Sequence, residues 1–176
     1  MKTLTEQLVR YAGYHRDRRN IATHLAGIPL LIASGTVLLS RPVLMAGCLP
    51  LSVAAIGALA SIACYLVLDI GFGRIMTALL ALAVWLGAWC AGQSTALWLG
   101  IGLGGFVTGW ALQFIGHHYE GRKPAFVDDL GSLLMGPLFV VAELMFRLGL
   151  RCDIRDAIDA QHGAAHPPRQ TPSPTP

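Results

Sequence analysis

ALWLGIGLGGFVTGWALQFI, residues 96–115, runs for twenty positions without a charged side chain. Water is absent from a bilayer core, so a crossing segment must satisfy its own backbone hydrogen bonds, and a helix of roughly 20 mainly apolar residues spans the hydrocarbon. Residues 96–115 meet that requirement. Working outward, residues 21–39, 43–68 and 75–92 have the same character, with breaks at Arg41-Pro42, from Asp69 to Arg74, and at Gln93-Ser94-Thr95. Of all the charged residues, only Arg41, Asp69 and Arg74 lie between Ile21 and Ile115, and the mean hydropathy of the chain is +0.56. That balance excludes an ordinary soluble domain. The expected fold is all-α: a multi-span integral membrane helical bundle with four transmembrane helices.

A fifth apolar stretch, residues 130–146, contains Gly136-Pro137 and Glu143 and is followed by Arg147, Arg151 and Arg155. Read as a re-entrant or interfacial helix, it keeps these arginines on the same membrane face as the basic N-terminus, as the positive-inside rule prefers. Residues 1–156 then form a membrane-embedded catalytic domain. Residues 157–176, ending PPRQTPSPTP, are expected to be a disordered tail, because proline and small polar residues bury too little surface to offset their ordering entropy. Asp128 and Asp129 are expected to start the helix that follows them.

The first twenty residues are polar and basic, so no cleaved signal is expected. The four cysteines lack paired spacing and read as reduced, buried small residues. The net charge of +3 is gathered at the chain ends, which suits anionic lipid rather than nucleic acid. Basic ends in the cytosol imply a bacterial inner membrane or the endoplasmic reticulum. In residues 96–115, Gly100, Gly104, Gly105 and Gly109 make two small-xxx-small pairs for close helix packing. A phosphate-loop reading of Gly100, Gly102 and Gly105 fails for want of a preceding strand.

The histidines carry the chemistry. His15 and His24 lie at the entry to the first apolar stretch, His117 and His118 at the exit of the fourth, and an even number of crossings brings entry and exit to one membrane face. An ionisable residue inside an apolar segment, as His24 is, marks a functional site by default. Neutral imidazoles together with Glu120 make a ligand set for iron, zinc or manganese. Asn20 shares a helical face with His24, and Gln113 and Glu120 share one with His117. On one continuous helix, His15 would point away from His24, so a shared metal requires a bend between them, near Asn20. His117 and His118 cannot both face one point, leaving one as ligand and the other as neighbour or reserve. Arg19, Arg122 and Lys123 surround the cluster and are candidates to hold a fatty acid carboxylate.

The two motifs, H-x4-N-x3-H-x2-G-I-P from His15 to Pro29 and Q-F-I-G-H-x2-E-x3-P from Gln113 to Pro124, resemble those of the Mpo-type 2-hydroxy fatty acid dioxygenases. The resemblance implies Fe(II)-dependent α-oxidation, in which a long-chain 2-hydroxy fatty acid and O2 give an acid one carbon shorter. It carries over His15, Asn20, His24, Gln113, His117, Glu120 and Pro124, with His15, His24, His117 and Glu120 on the metal and Asn20 and Gln113 orienting imidazoles. His118 stands beside the motif. A di-iron hydroxylase needs more histidines than these. The alternative class is a non-catalytic membrane transporter or lipid-binding scaffold with a histidine proton relay, although the halves show no internal repeat.

Overall fold

The computed structural model describes residues 3–46, 49–121 and 131–163. Among them are seven helices and one two-stranded hairpin: α1 (Leu4–Ala12), α2 (Arg18–Leu39), β1 (Val43–Ala46), β2 (Leu49–Ser52), α3 (Val53–Leu68), α4 (Ile70–Ala91), α5 (Thr95–Glu120), α6 (Ser132–Arg147) and α7 (Cys152–His162). Three helices, α2, α4 and α5, are long and apolar enough to cross a membrane.

The stretch expected as one crossing over residues 43–68 is divided. Its first part holds β1 and β2, paired antiparallel with Val43 opposite Ser52. Pro42 and Pro50 explain the change, since proline lacks the N–H that a helix interior requires. Ser52 then caps α3, its hydroxyl accepting from Ala55 N at 3.1 Å. At 16 residues α3 rises only about 24 Å, yet it connects opposite ends of α2 and α4, as three contacts require. Arg41, just past α2, donates to the Ala91 and Gln93 carbonyls at the end of α4; Tyr65, near the end of α3, donates to Leu134 O in α6; and Gly73, near the start of α4, lies against Leu66. Asp69, expected in a linker, separates α3 from α4 alone: extended at φ −160°, it accepts from Phe72 N and begins α4.

Helices α2 and α5 run antiparallel along a glycine seam. Gly102 meets Leu38, Gly105 meets Ser34, and Gly109 meets Leu31 and the Gly27 carbonyl, while Gly100 and Gly104 face open space. The seam is therefore 102, 105, 109 and 116, which keeps the predicted pair Gly105 and Gly109 and drops Gly100 and Gly104. A Cβ on Gly109 would lie 2.7 Å from Leu31 Cγ and 3.2 Å from Gly27 O. Gly109→Leu is thus expected to cost about 1–3 kcal/mol and lower the melting temperature in detergent, whereas Gly100→Leu leaves it unchanged. Equal melting of the two variants would reject this seam.

Helix α1 arises from Thr3-x-x-Glu6, a reciprocal cap in which Glu6 N donates to Thr3 Oγ1 and Thr3 N to Glu6 Oε2. Its apolar face, with Leu4, Leu8 and Tyr11 buried, packs on α6 and α7. The 130–146 stretch becomes α6, and the chain bends by 105° into α7, so the pair is not one straight crossing. Residues 157–162, placed in the tail by the sequence reading, belong to α7: Ile158 is buried against the core, and His162 Nε2 bonds Val9 O at 2.9 Å. The remaining tail and the expected Asp128-Asp129 helix start lie outside the described residues. Cys64 is exposed, Cys90 buried and Cys152 intermediate, all as free thiols. An apolar helix in lipid keeps apolar side chains on its outer face, so a buried position for Cys64 was not required.

Candidate metal centre

Three imidazoles meet where α1, α2 and α5 converge. His15, His24 and His117 are all buried, and one ring nitrogen from each lies within 4.8 Å of the others. Their ring centroids are 4.6 Å (His15–His24), 4.9 Å (His24–His117) and 5.2 Å (His15–His117) apart. The required bend falls at residues 13–17, between α1 and α2, rather than at Asn20, which lies inside α2. That break turns His15 back toward His24.

Hydrogen bonds fix two of the rings. His15 Nδ1 donates to Tyr11 O at 3.0 Å and His24 Nδ1 to Asn20 O at 2.9 Å, because a carbonyl can only accept. Each bond leaves Nε2 with its lone pair. His15 Nε2 and His117 Nδ1 are buried without hydrogen-bond partners, a costly state unless something else binds them. Burial pushes the His15 imidazole down to about 4, against an upward pull from the Tyr11 carbonyl and with a further downward push from His117. It is therefore neutral near pH 7, the form that binds a metal. The donor set, three clustered imidazoles of which two have buried unpartnered nitrogens, fits a divalent transition metal such as iron.

Glu120, expected as a ligand, lies apart from this group. Its Oε2 accepts from Arg16 N, Asp17 N and Asn20 Nδ2, each at 2.9 Å. The carboxylate thus joins the end of α5 to the start of α2, where a helix presents unsatisfied N–H groups and a positive dipole end. Asn20 is fully buried and links this clamp to His24. Gly116 makes the approach possible, since a Cβ there would lie 2.6 Å from Asn20 Oδ1 and 3.1 Å from His24 Nδ1. Of the adjacent histidines, His117 is buried and His118 exposed. Arg19 is turned outward: its side chain is 65% exposed, pairs with Asp17 at 2.9 Å and stacks over Tyr119. Arg122, Lys123 and Pro124 lie outside the described residues.

An apolar groove of about 230 Å³ opens from the histidines between α2, α5 and α6, with Tyr11, His24, Trp110, Gln113, His117 and Pro137 in its wall. Tyr11 is a site residue that sequence reasoning did not single out. Its ring stacks on His15 at 4.3 Å, and Gly136 lets α6 close over it. The signal was available in the cap of α1, which puts Tyr11 and His15 four residues apart at a helix end.

Fold and site together define a helical membrane protein with a buried three-histidine centre at one end of an apolar groove. Residues 1–148 match the family model described as 2-hydroxy-palmitic acid dioxygenase Mpo1-like, and the chain belongs to that family. It is 31% identical over 148 residues to the 2-hydroxy-palmitic acid dioxygenase MPO1 of Saccharomyces cerevisiae, covering 83% of this chain and 82% of the yeast protein. No solved structure matches it.

Proposed function

We propose that the protein is an Fe(II)-dependent dioxygenase of long-chain 2-hydroxy fatty acids, with His15, His24 and His117 as the iron ligands. The observation that carries this reading is the three-imidazole group, with two buried unpartnered ring nitrogens, at the head of an apolar groove. The family of dioxygenases to which the chain belongs supports it. Bound iron would supply open positions for O2 and for substrate oxygens. The reaction balances without an external reductant: a 2-hydroxy acid and O2 yield the acid one carbon shorter, carbon dioxide and water, the substrate losing the four electrons that O2 accepts.

The chain's own groups perform the remaining tasks. Tyr11 and Asn20 carbonyls orient two imidazoles, Glu120 holds α2 against α5, and the groove receives the alkyl chain from the bilayer while excluding water from the centre. Four crossings, α2 to α5, would put the site, α1 and α7 on one face. Arg10, Arg16, Arg18, Arg147 and Arg155 collect there against Arg41 at the opposite end, which favours a cytosolic location.

Oxygen uptake by detergent-purified, iron-loaded protein tests this directly. With 2-hydroxyhexadecanoate, one O2 should disappear per acid consumed and pentadecanoate should accumulate. Hexadecanoate, without the hydroxyl, should drive no uptake. Uptake indifferent to the hydroxyl, or a product of unchanged chain length, would reject the reading.

A further inference from the structure

The centre accounts for the histidines, but two other polar groups in the groove are left without partners. Gln113 is 6% exposed, and its Nε2 has no hydrogen-bond partner; neither has Ser132 Oγ. Both side chains line the groove with His24 and His117. A buried donor without an acceptor is destabilising, so two in one apolar wall indicate a ligand with acceptor oxygens.

The start of α6 adds to this. Ser132 and Leu133, its first two residues, line the same groove, and among the described residues no side chain caps the helix. The positive dipole end of α6 therefore lies in the groove wall, where it favours negative charge. Among the described lining residues there is no arginine or lysine, while Arg19 is engaged with Asp17 at the surface.

We infer that Gln113, Ser132 and the N-terminal end of α6 form the subsite that holds the carboxylate of a 2-hydroxy fatty acid. This rests on the dioxygenase reading for the identity of the ligand. It assigns Gln113 a direct contact with substrate in place of the imidazole-orienting role implied by the motif. The groove stays apolar along the alkyl chain and polar only at its head, which matches the polarity of the acid.

Equilibrium binding tests the subsite. Iron-loaded protein in nanodiscs, kept anaerobic to prevent turnover, is titrated with 2-hydroxyhexadecanoate and with its methyl ester. Gln113→Leu and Ser132→Ala should each weaken the acid by about tenfold, the loss expected for one hydrogen bond to a charged group, and leave the ester within twofold. Equal losses for acid and ester, or no loss for the acid in either variant, would overturn the subsite. Oxygen uptake by the unmodified protein, set beside these titrations, distinguishes this from the proposed reaction. Acid-over-ester preference that both variants erase, without any oxygen uptake, would sustain the subsite and reject the dioxygenase; uptake with an acid-to-ester ratio that neither variant changes would do the reverse.

Discussion

Replacing His24 with alanine is expected to remove bound iron and to lower 2-hydroxy acid turnover by more than a hundredfold. Loss of an outer group that merely orients a ligand already costs about 10–100-fold in metal affinity or activity, and His24 is placed at the centre itself. Its ring faces both other imidazoles, and its Nδ1 is fixed on the Asn20 carbonyl, so no neighbour supplies the missing nitrogen. His118→Ala, at an exposed position one residue from His117, serves as the comparison and should retain both iron and turnover. Metal analysis beside an oxygen-electrode assay reads both effects. Iron and activity retained in His24→Ala would remove that residue from the centre, and their loss in His118→Ala would mean that the α5 rotation is misassigned.

Glu120→Ala should act through stability. Its carboxylate accepts two backbone N–H groups and the Asn20 amide, joining the end of α5 to the start of α2. Hydrogen bonds to a charged group contribute about 1.5–3 kcal/mol each in favourable settings. Partial exposure lowers that figure, so a loss of about 2–4 kcal/mol is a reasonable total for the clamp. Thermal melting in detergent should show a marked fall, and Glu120→Gln, which keeps an acceptor, a smaller one. Iron should remain bound in Glu120→Gln at low temperature. Full stability with iron lost would instead make the carboxylate a ligand, as its motif position implied.

The helical membrane architecture and the three histidines were legible in the sequence for different reasons. Hydropathy reports on lipid, so residues 21–39, 75–92 and 96–115 appear as helices without tertiary knowledge, whereas the strands β1 and β2 do not appear: their residues are equally apolar, and only Pro42 and Pro50 argue against helix. The meeting of His24 with His117 follows from counting crossings. The bend that brings in His15 was deducible as a necessity but was misplaced by several residues, because the end of α1 is set by its packing on α6 and α7. The partners of Glu120 were not legible for a related reason. Its helical spacing with His117 shows a shared face on α5, but the occupant of that face is α2, whose N-terminus takes the carboxylate. Ser132 belongs to the site through tertiary contacts that local pattern does not expose, whereas Tyr11 stands four residues before His15.

The most direct test of the central claim is reconstitution. Protein stripped by chelation and then titrated anaerobically with Fe(II) should regain 2-hydroxyhexadecanoate-dependent oxygen uptake in proportion to iron bound, saturating near one iron per chain, with His117→Ala binding none. Uptake that survives stripping, or iron binding that leaves the protein inactive toward every 2-hydroxy acid, would contradict the three-histidine iron centre as the seat of the reaction.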